Sequence, residues 1–203
     1  MTESNAPLKK KDPDTELIQA IQAGDVALFT DLVQRHERSL YGFGIKMCGV
    51  IGDAEDLVQE TFLNVFRYLK DFRQETKFKN WLYRIAASVC IKRRRKSKFA
   101  PKRELSLDEF LPGDEADVDQ QVPSWAALPL DQILNEELHR HLQNAVLDLP
   151  EKYRAVLVLR NMEGFSTEEA AQILNLTPAN IKVRLHRARL FLRDRLKSYY
   201  EET

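Results

Sequence analysis

Three groups of side chains in this sequence have the types and spacing that chemistry needs. In the first, Asp53, Asp56 and Glu60 are separated by three and four residues, which lines three carboxylates along one side of a helix. Such a stripe holds a divalent cation when a histidine or a second acidic cluster completes the ligand set. Neither lies nearby in the sequence, and carboxylates in the first turns of a helix also complement its dipole. No metal is expected here; a solvated face and a docking surface for a basic partner both remain open. His139 and His141 alternate within a helical stretch, so they face different sides and make a poor metal pair.

The second group is the stretch NWLYRIAASVCIKRRRKSK, residues 80–98. At about 100° per residue, Leu82, Ile85 and Val89 gather on one side and seat the helix on a core. Trp81, Arg84, Ser88, Lys92 and Arg95 fall on a neighbouring stripe. Cations neutralise phosphates and release counterions, while an aromatic ring offers a flat face to a base that has left its stack. That chemistry suits unpaired DNA better than intact duplex. Trp81 and Tyr83 can equally be core aromatics, as aromatics at helical spacing usually are, whereas the run KRRRKSK does not mix signs as a merely solvated face does.

The third group is GFSTEEAAQILNLTPANIKVRLHRARLFLRDRL, residues 164–196. Ser166 followed by Glu169 forms a capping box that opens a helix. After the turn NLT, Thr177 caps a second helix with Pro178 at its first position, where the missing N–H costs nothing. Helix, short turn and longer basic helix make a helix-turn-helix, whose second helix can enter a major groove. Ile181, Leu185, Ala188, Leu192 and Leu196 form its inward stripe. Lys182, Val183, His186, Arg187, Leu190, Arg193 and Lys197 face away. Val183 can touch a thymine methyl, Lys182 is placed for a base edge, Arg187 and Arg193 for phosphate, and His186 for either.

The elements that carry these groups are helical throughout. At 203 residues with 43% hydrophobic and 31% charged residues, the chain suits one medium or two small globular domains. Asp14 and Asp25 are expected to cap short helices, the second burying Leu28, Phe29, Leu32 and Val33. After Gly49 and Gly52, the pairs Leu57–Val58, Thr61–Phe62 and Val65–Phe66 with Leu69 give a helix whose wide apolar face is expected to be buried against several neighbours. The formal net charge of zero is a sum over blocks. Residues 67–103 are strongly basic, residues 104–137 contain no Lys or Arg, and the last helix is basic again. Prolines at 112, 123 and 129 in the acidic block mark a linker and hence two domains. Cys48 and Cys90 lie far apart in apolar surroundings and are expected to be small core residues of a reducing cytosol. No run is long and apolar enough to span a membrane, and the first residues lack a signal-peptide core, so the protein is expected to be cytoplasmic.

Taken in order, DAEDLVQETFLNVFRYLKDF, FKNWLYRIAASVCIKRRRK and LPEKYRAVLVLRNMEGFSTEEAAQILNLTPANIKVRLHRARLFLRD closely resemble the extracytoplasmic-function sigma factors of bacterial RNA polymerase, over about 14–196. The resemblance implies an all-α protein without cofactor or metal. Residues 14–100 would form a promoter-melting and polymerase-binding domain, 101–130 a flexible acidic linker, and 131–198 a helix-turn-helix domain reading the minus-thirty-five element. It places Asp53, Asp56, Gln59 and Glu60 against the polymerase core. It places Phe72, Lys77, Asn80, Trp81, Arg84, Ser88, Lys92 and Arg95 at the minus-ten element, where a non-template base is flipped out. Lys182, Val183, Arg184, His186 and Arg187 match positions that contact the minus-thirty-five element. Relatives often carry asparagine where Ser88 stands, and a glycine where Ala179 stands. The implied partners are polymerase core, promoter DNA and an anti-sigma factor, with no small-molecule substrate and no membrane insertion, and nucleoid association is implied when the protein is active. The acidic segment 108–119 is expected to shield the basic patches in the free protein. Two other classes share part of the pattern. A helix-turn-helix repressor or activator would need a dimerisation or ligand-sensing element, and a nuclease built on Asp53, Asp56 and Glu60 would cut DNA with magnesium.

Overall fold

The apolar spacing becomes eight α-helices, with no strand, among the residues that this computed structural model describes, 12–96 and 136–201. The expected linker, 101–130, and its acidic segment lie outside the described residues. The first half contains α1 (Thr15–Ala23), α2 (Phe29–Cys48), α3 (Ile51–Tyr68) and α4 (Phe78–Lys96). The second contains α5 (Glu136–Asp148), α6 (Glu151–Leu157), α7 (Thr167–Leu174) and α8 (Pro178–Glu201).

Helices α2 and α3 cross at Gly44, where an added Cβ would stand 3.0 Å from the Cβ of Ala54; two small residues let the backbones approach. Around that crossing Leu40, Phe43, Met47, Leu57 and Val65 are fully or almost fully buried, joined by Leu82, Tyr83, Ala86 and Val89 of α4. Tyr83 is therefore a core residue, 1% exposed, its ring edge-on to Phe43 at 5.2 Å. Asp14 stands at the expected N-cap of α1, yet its side chain makes no capping bond. It is buried and accepts from Arg35 Nη1 at 2.7 Å and pairs with His36 Nε2 at 2.9 Å. A guanidinium and an imidazole from α2 displace one backbone N–H. Asp25 likewise makes no capping bond, because a 3-10 turn over Val26–Leu28 intervenes before α2.

The two halves meet along a seam in which α2 touches α5 and α4 touches α7. Gly49, left-handed at φ 77°, ends α2 and lies against Leu147, whose Cδ1 would be 2.7 Å from an added Cβ. Beside it, the buried guanidinium of Arg154 donates to the carbonyls of Met47 (2.6 Å), Leu149 (2.8 Å) and Leu147. Met47 and Leu147 belong to the last turns of α2 and α5, whose carbonyls lack intrahelical donors and carry the negative end of the helix dipole. One cation thus satisfies two helix ends from opposite halves. Replacing it by methionine, Arg154→Met, keeps most of the volume and orphans these carbonyls, at about 1–3 kcal/mol for each that water cannot reach. A loss of about 3 kcal/mol or more is expected in urea unfolding, and a variant within 1 kcal/mol of wild type would contradict this role for Arg154.

Candidate nucleic-acid interface

The loop between α3 and α4 is held from α1. Gln22 Nε2 donates to the carbonyls of Leu69 (2.8 Å) and Phe72 (3.0 Å). Asp12 accepts from the backbone N–H of Phe78 at 2.5 Å, capping α4 from a distant part of the chain. These ties bring the ring of Phe72 onto Trp81, stacked at 4.7 Å with 27° between planes, and Phe78 completes the aromatic cluster. Phe72 itself is buried, while Trp81 is half-buried with its ring at the edge of the cluster. From Trp81 the exposed side chains of Arg84, Ser88 and Lys92 run along α4 as the helical period predicts. Arg95 lies on the same helix, with its side chain outside the described residues. Arg93 leaves the basic run: its guanidinium turns back to Asp56 at 2.6 Å and Asp53 at 3.9 Å.

Two expected contact residues are engaged across the seam. Lys77 Nζ pairs with Glu169 at 2.9 Å, and Asn80, buried, hydrogen-bonds the same carboxylate. Glu169 is held in turn by the capping box, accepting from the Ser166 backbone N–H at 3.0 Å while its own N–H reaches Ser166 Oγ at 3.1 Å. Hydrogen bonding to the Ser166 backbone, with Lys77 and Asn80, keeps its acidity stronger than that of an ordinary glutamate despite partial burial. A second acid, Glu163, accepts from Lys46 at 2.7 Å and from the Tyr83 hydroxyl at 2.8 Å. It follows directly on a π-type turn, Val158–Met162, closed by the Glu163 N–H on the Val158 carbonyl. Burial first, then Glu163, pushes the Tyr83 phenol well above its usual range. Phe165 packs edge-on to Tyr83 at 4.8 Å, under the ammonium of Lys79 at 4.7 Å.

The helix-turn-helix forms as its local chemistry dictates. Helix α7 ends at Asn175 in the left-handed conformation, and Thr177 Oγ1 accepts from the Asn180 N–H at 3.2 Å to start α8. Ile181, Leu185, Ala188 and Leu192 are buried. Lys182 is exposed, and Val183, Arg184, His186 and Arg187 are half-buried on the outer side. Partial burial, then Arg189, Arg193 and Arg187, lowers the pKa of His186, which favours the neutral imidazole, with one donor and one acceptor.

The acidic stripe of α3 is solvent-facing: Asp53, Asp56, Gln59 and Glu60 are all exposed. The expectation that the wide apolar face of α3 is fully buried needs correcting. Phe66 is 48% exposed and Leu63, a turn earlier, 50%. With Phe29, Val33, Val58 and Phe62 they line an open groove between α2 and α3, rimmed by Glu37, Arg38, Glu55 and Gln59. Phe29 forms its floor, edge-on to Phe66 at 5.1 Å. Periodicity revealed the apolar residues of this groove other than Leu63, but not that nothing among the described residues covers them. The seam acids Glu163 and Glu169 had no signal beyond the capping-box position of the latter.

Among the described residues no three His, Cys, Asp or Glu side chains gather as a cation site, and no helix is long and apolar enough to cross a membrane.

The family model Sigma-70 region 2 matches residues 32–99, and Sigma-70, region 4, matches residues 139–192. Similar proteins include the ECF RNA polymerase sigma factor SigW of Bacillus subtilis, 34% identical over 89% of this chain and 95% of the relative. The ECF RNA polymerase sigma factor SigM of Mycobacterium tuberculosis is 31% identical over 87% of this chain and 81% of its own length. Among solved structures, the sigma factor RpoE in complex with the anti-sigma factor NepR from Bartonella quintana superposes with a TM-score of 0.57 at 26% identity, covering 82% of this chain and 97% of that one. CnrH in complex with the cytosolic domain of CnrY shares the fold, with a TM-score of 0.63 at 24% identity over 91% and 97% of the two chains.

Proposed function

We propose a division of labour that proceeds from one premise: this chain belongs to the extracytoplasmic-function (ECF) RNA polymerase sigma factors. It is a transcription initiation factor, and its partners are core polymerase, promoter DNA and an anti-sigma factor such as the one bound to the Bartonella relative. The first half opens the minus-ten element and the second reads the minus-thirty-five element. The acidic stripe Asp53, Asp56, Gln59 and Glu60, continuous with the apolar groove through Gln59, docks on the polymerase core. The protein works in the cytoplasm, associates with the nucleoid when active, and catalyses no reaction itself.

The observation that carries this reading is the line on α4 of half-buried Trp81 and exposed Arg84, Ser88 and Lys92, with the Trp81 ring already stacked on Phe72 at its edge. Separating strands costs a few kcal/mol per unstacked base step. Stacking of a freed base on an aromatic side chain returns about 1–3 kcal/mol and is insensitive to sequence. Phosphates neutralised by Arg84, Lys92 and Arg95 add to this, so opening is held by capture and needs no nucleotide hydrolysis. The free chain accordingly melts DNA poorly until polymerase contributes. Asn80 and Lys77 join the site when Glu169 withdraws, and Phe72 supports the Trp81 ring from below. On α8, Lys182 and Val183 near the helix start address base edges, Arg184 and Arg187 grip phosphate, and a neutral His186 reads a base donor or acceptor.

Run-off transcription with core polymerase and genomic fragments tests the proposal. Start-specific transcripts are expected, and they should be lost with Trp81→Ala when Lys182 is intact. Transcripts that need no core subunit, or a chain that binds duplex DNA as a dimer and ignores polymerase, would overturn it in favour of a repressor or activator.

A further inference from the structure

The loop that joins α3 to α4 borders Trp81 through Phe72 and is fastened at both ends by residues from the start of the chain. At its entry, Gln22 of α1 donates through its side-chain nitrogen to two carbonyls, Leu69 at 2.8 Å and Phe72 at 3.0 Å. At its exit, Asp12 Oδ2 accepts from the Phe78 N–H at 2.5 Å, while Oδ1 accepts from the Asp14 N–H at 3.1 Å. Neither Gln22 nor Asp12 lies on the line from Trp81 to Lys92.

Both ties rest on fixed supports. Helix α1 is seated through Ile18 and Ile21, which are buried. Asp14, two residues after Asp12, is held by Arg35 and His36 of α2, and the His36 ring lies 5.2 Å from that of Phe78. Between the ties the chain passes through Gln74, which is left-handed at φ 56°. A residue with a Cβ enters that region at a cost and stays there only where its surroundings over-determine it. The anchored ends supply that constraint. Residues 73–77 join two residues whose rings lie 6.0 Å apart, and the same stretch extended would carry Phe78 well away, so the loop has to turn back on itself.

We propose that Gln22 and Asp12 are positioning residues for minus-ten recognition, holding the entry and exit of this loop so that a captured base meets a preformed surface. The inference rests on the base-capture reading of Trp81 given above. Gln22 holds the carbonyl of Phe72, the residue whose ring is stacked on Trp81 at 4.7 Å. Asp12 holds the N–H of Phe78, whose ring stands 6.0 Å from that of Phe72 and 5.9 Å from that of Trp81. Each tie thus sets one of the two rings that support Trp81. A base stacks best on a ring that is already fixed, because ordering the ring during binding subtracts from affinity.

The two side chains are chemically distinct in what they must supply. The Gln22 amide nitrogen carries two N–H groups, one for each carbonyl, and methionine fills the same space without a donor. Asp12 needs only an acceptor oxygen, which asparagine also offers. The Leu69 carbonyl keeps a donor when Gln22 is lost, since the Phe72 N–H reaches it at 3.1 Å. Gln22→Met therefore orphans the Phe72 carbonyl alone. What goes with it is the register of Phe72 under Trp81 and the constraint that holds Gln74 left-handed.

The full chain, assembled with core polymerase, is titrated with a single-stranded non-template oligonucleotide covering the minus-ten element of a promoter mapped by run-off transcription. A set of the same oligonucleotides, each with one base removed, is titrated in parallel. Wild type is expected to lose most affinity where the base captured at Trp81 is missing. Gln22→Met should bind the intact oligonucleotide about tenfold more weakly, within what one stacked base contributes, and that abasic form within about twofold of wild type. A general loss of structure would weaken both alike. Asp12→Ala should follow Gln22→Met, and Asp12→Asn, which keeps the acceptor, should stay within about threefold of wild type on the intact oligonucleotide. The Gln22 comparison stands whether or not Asp12→Ala folds, which urea unfolding records. Wild type that binds intact and abasic oligonucleotides equally at every position would overturn base capture at Trp81 and this inference with it. Wild-type discrimination that Gln22→Met retains in full, an equal loss on both oligonucleotides, or an Asp12→Asn as weak as a folded Asp12→Ala would overturn the positioning role alone.

Discussion

A chain carrying Leu63→Glu and Phe66→Glu is expected to lose core polymerase while keeping its fold. Both side chains are about half exposed and line the groove between α2 and α3, so charging them removes little that the free protein buries. In a complex they would sit at the centre of the patch, where a truncated anchor costs about 2 kcal/mol or more and a buried unpaired carboxylate costs further. Two such losses amount to about 4 kcal/mol, roughly a thousandfold in affinity at 1.4 kcal/mol per decade. Competition binding to core polymerase, with unfolding followed in parallel, separates docking from stability. Neutralising Asp53 and Asp56 instead, exposed charges at the rim, should act mainly on association rate and salt dependence. A double variant that binds core within threefold of wild type would show that the groove is not the docking surface.

What the sequence disclosed depended on the range of the interaction. The helix-turn-helix was legible almost residue by residue, because Ser166 with Glu169 and Thr177 with Pro178 act on backbone groups within one turn. The line from Trp81 to Lys92 was legible for the same reason, since a helix fixes which side chains are neighbours. Asp14 shows where a local rule loses. Its capping role was displaced by Arg35 and His36, which only the packing of α2 brings near. Trp81 and Tyr83 face different sides of one helix, yet residue type alone did not say which of the two aromatics is core, and the fold buried Tyr83 and left Trp81 at the edge. Phe66 exposes a further limit, because apolar spacing marks a face that prefers burial without saying whether this chain or another supplies the cover. The seam was invisible for the deepest reason. Lys46 and Glu163, or Lys77 and Glu169, belong to separate halves, and nothing in either local sequence encodes the other.

The seam also sets the last expected result: Glu163→Lys should release the second half from the first. Glu163 is 9% exposed and takes both the ammonium of Lys46 and the hydroxyl of Tyr83, so reversal places a second cation beside Lys46 and orphans the Tyr83 donor. Breaking a buried pair in this way costs about 3–5 kcal/mol. Lys46 is 37% exposed, so water screens part of that, and about 2 kcal/mol, roughly a thirtyfold shift toward the separated arrangement, is the reasonable expectation. Small-angle scattering should record a larger radius of gyration, and a single-stranded minus-ten oligonucleotide should bind more tightly as Lys77 and Asn80 lose Glu169. Glu169→Gln is the milder companion, since glutamine still accepts from the Ser166 N–H but gives up the charge that Lys77 faces. Acid should mimic it. The pKa of Glu169 is lowered in the fold, so its contribution is complete above the ordinary glutamate value of 4.5 and is lost as pH falls through the lowered one. Compaction that survives both Glu163→Lys and acidification below that range would mean that the apolar contacts of Phe165 and Leu147 hold the halves together without the two acids.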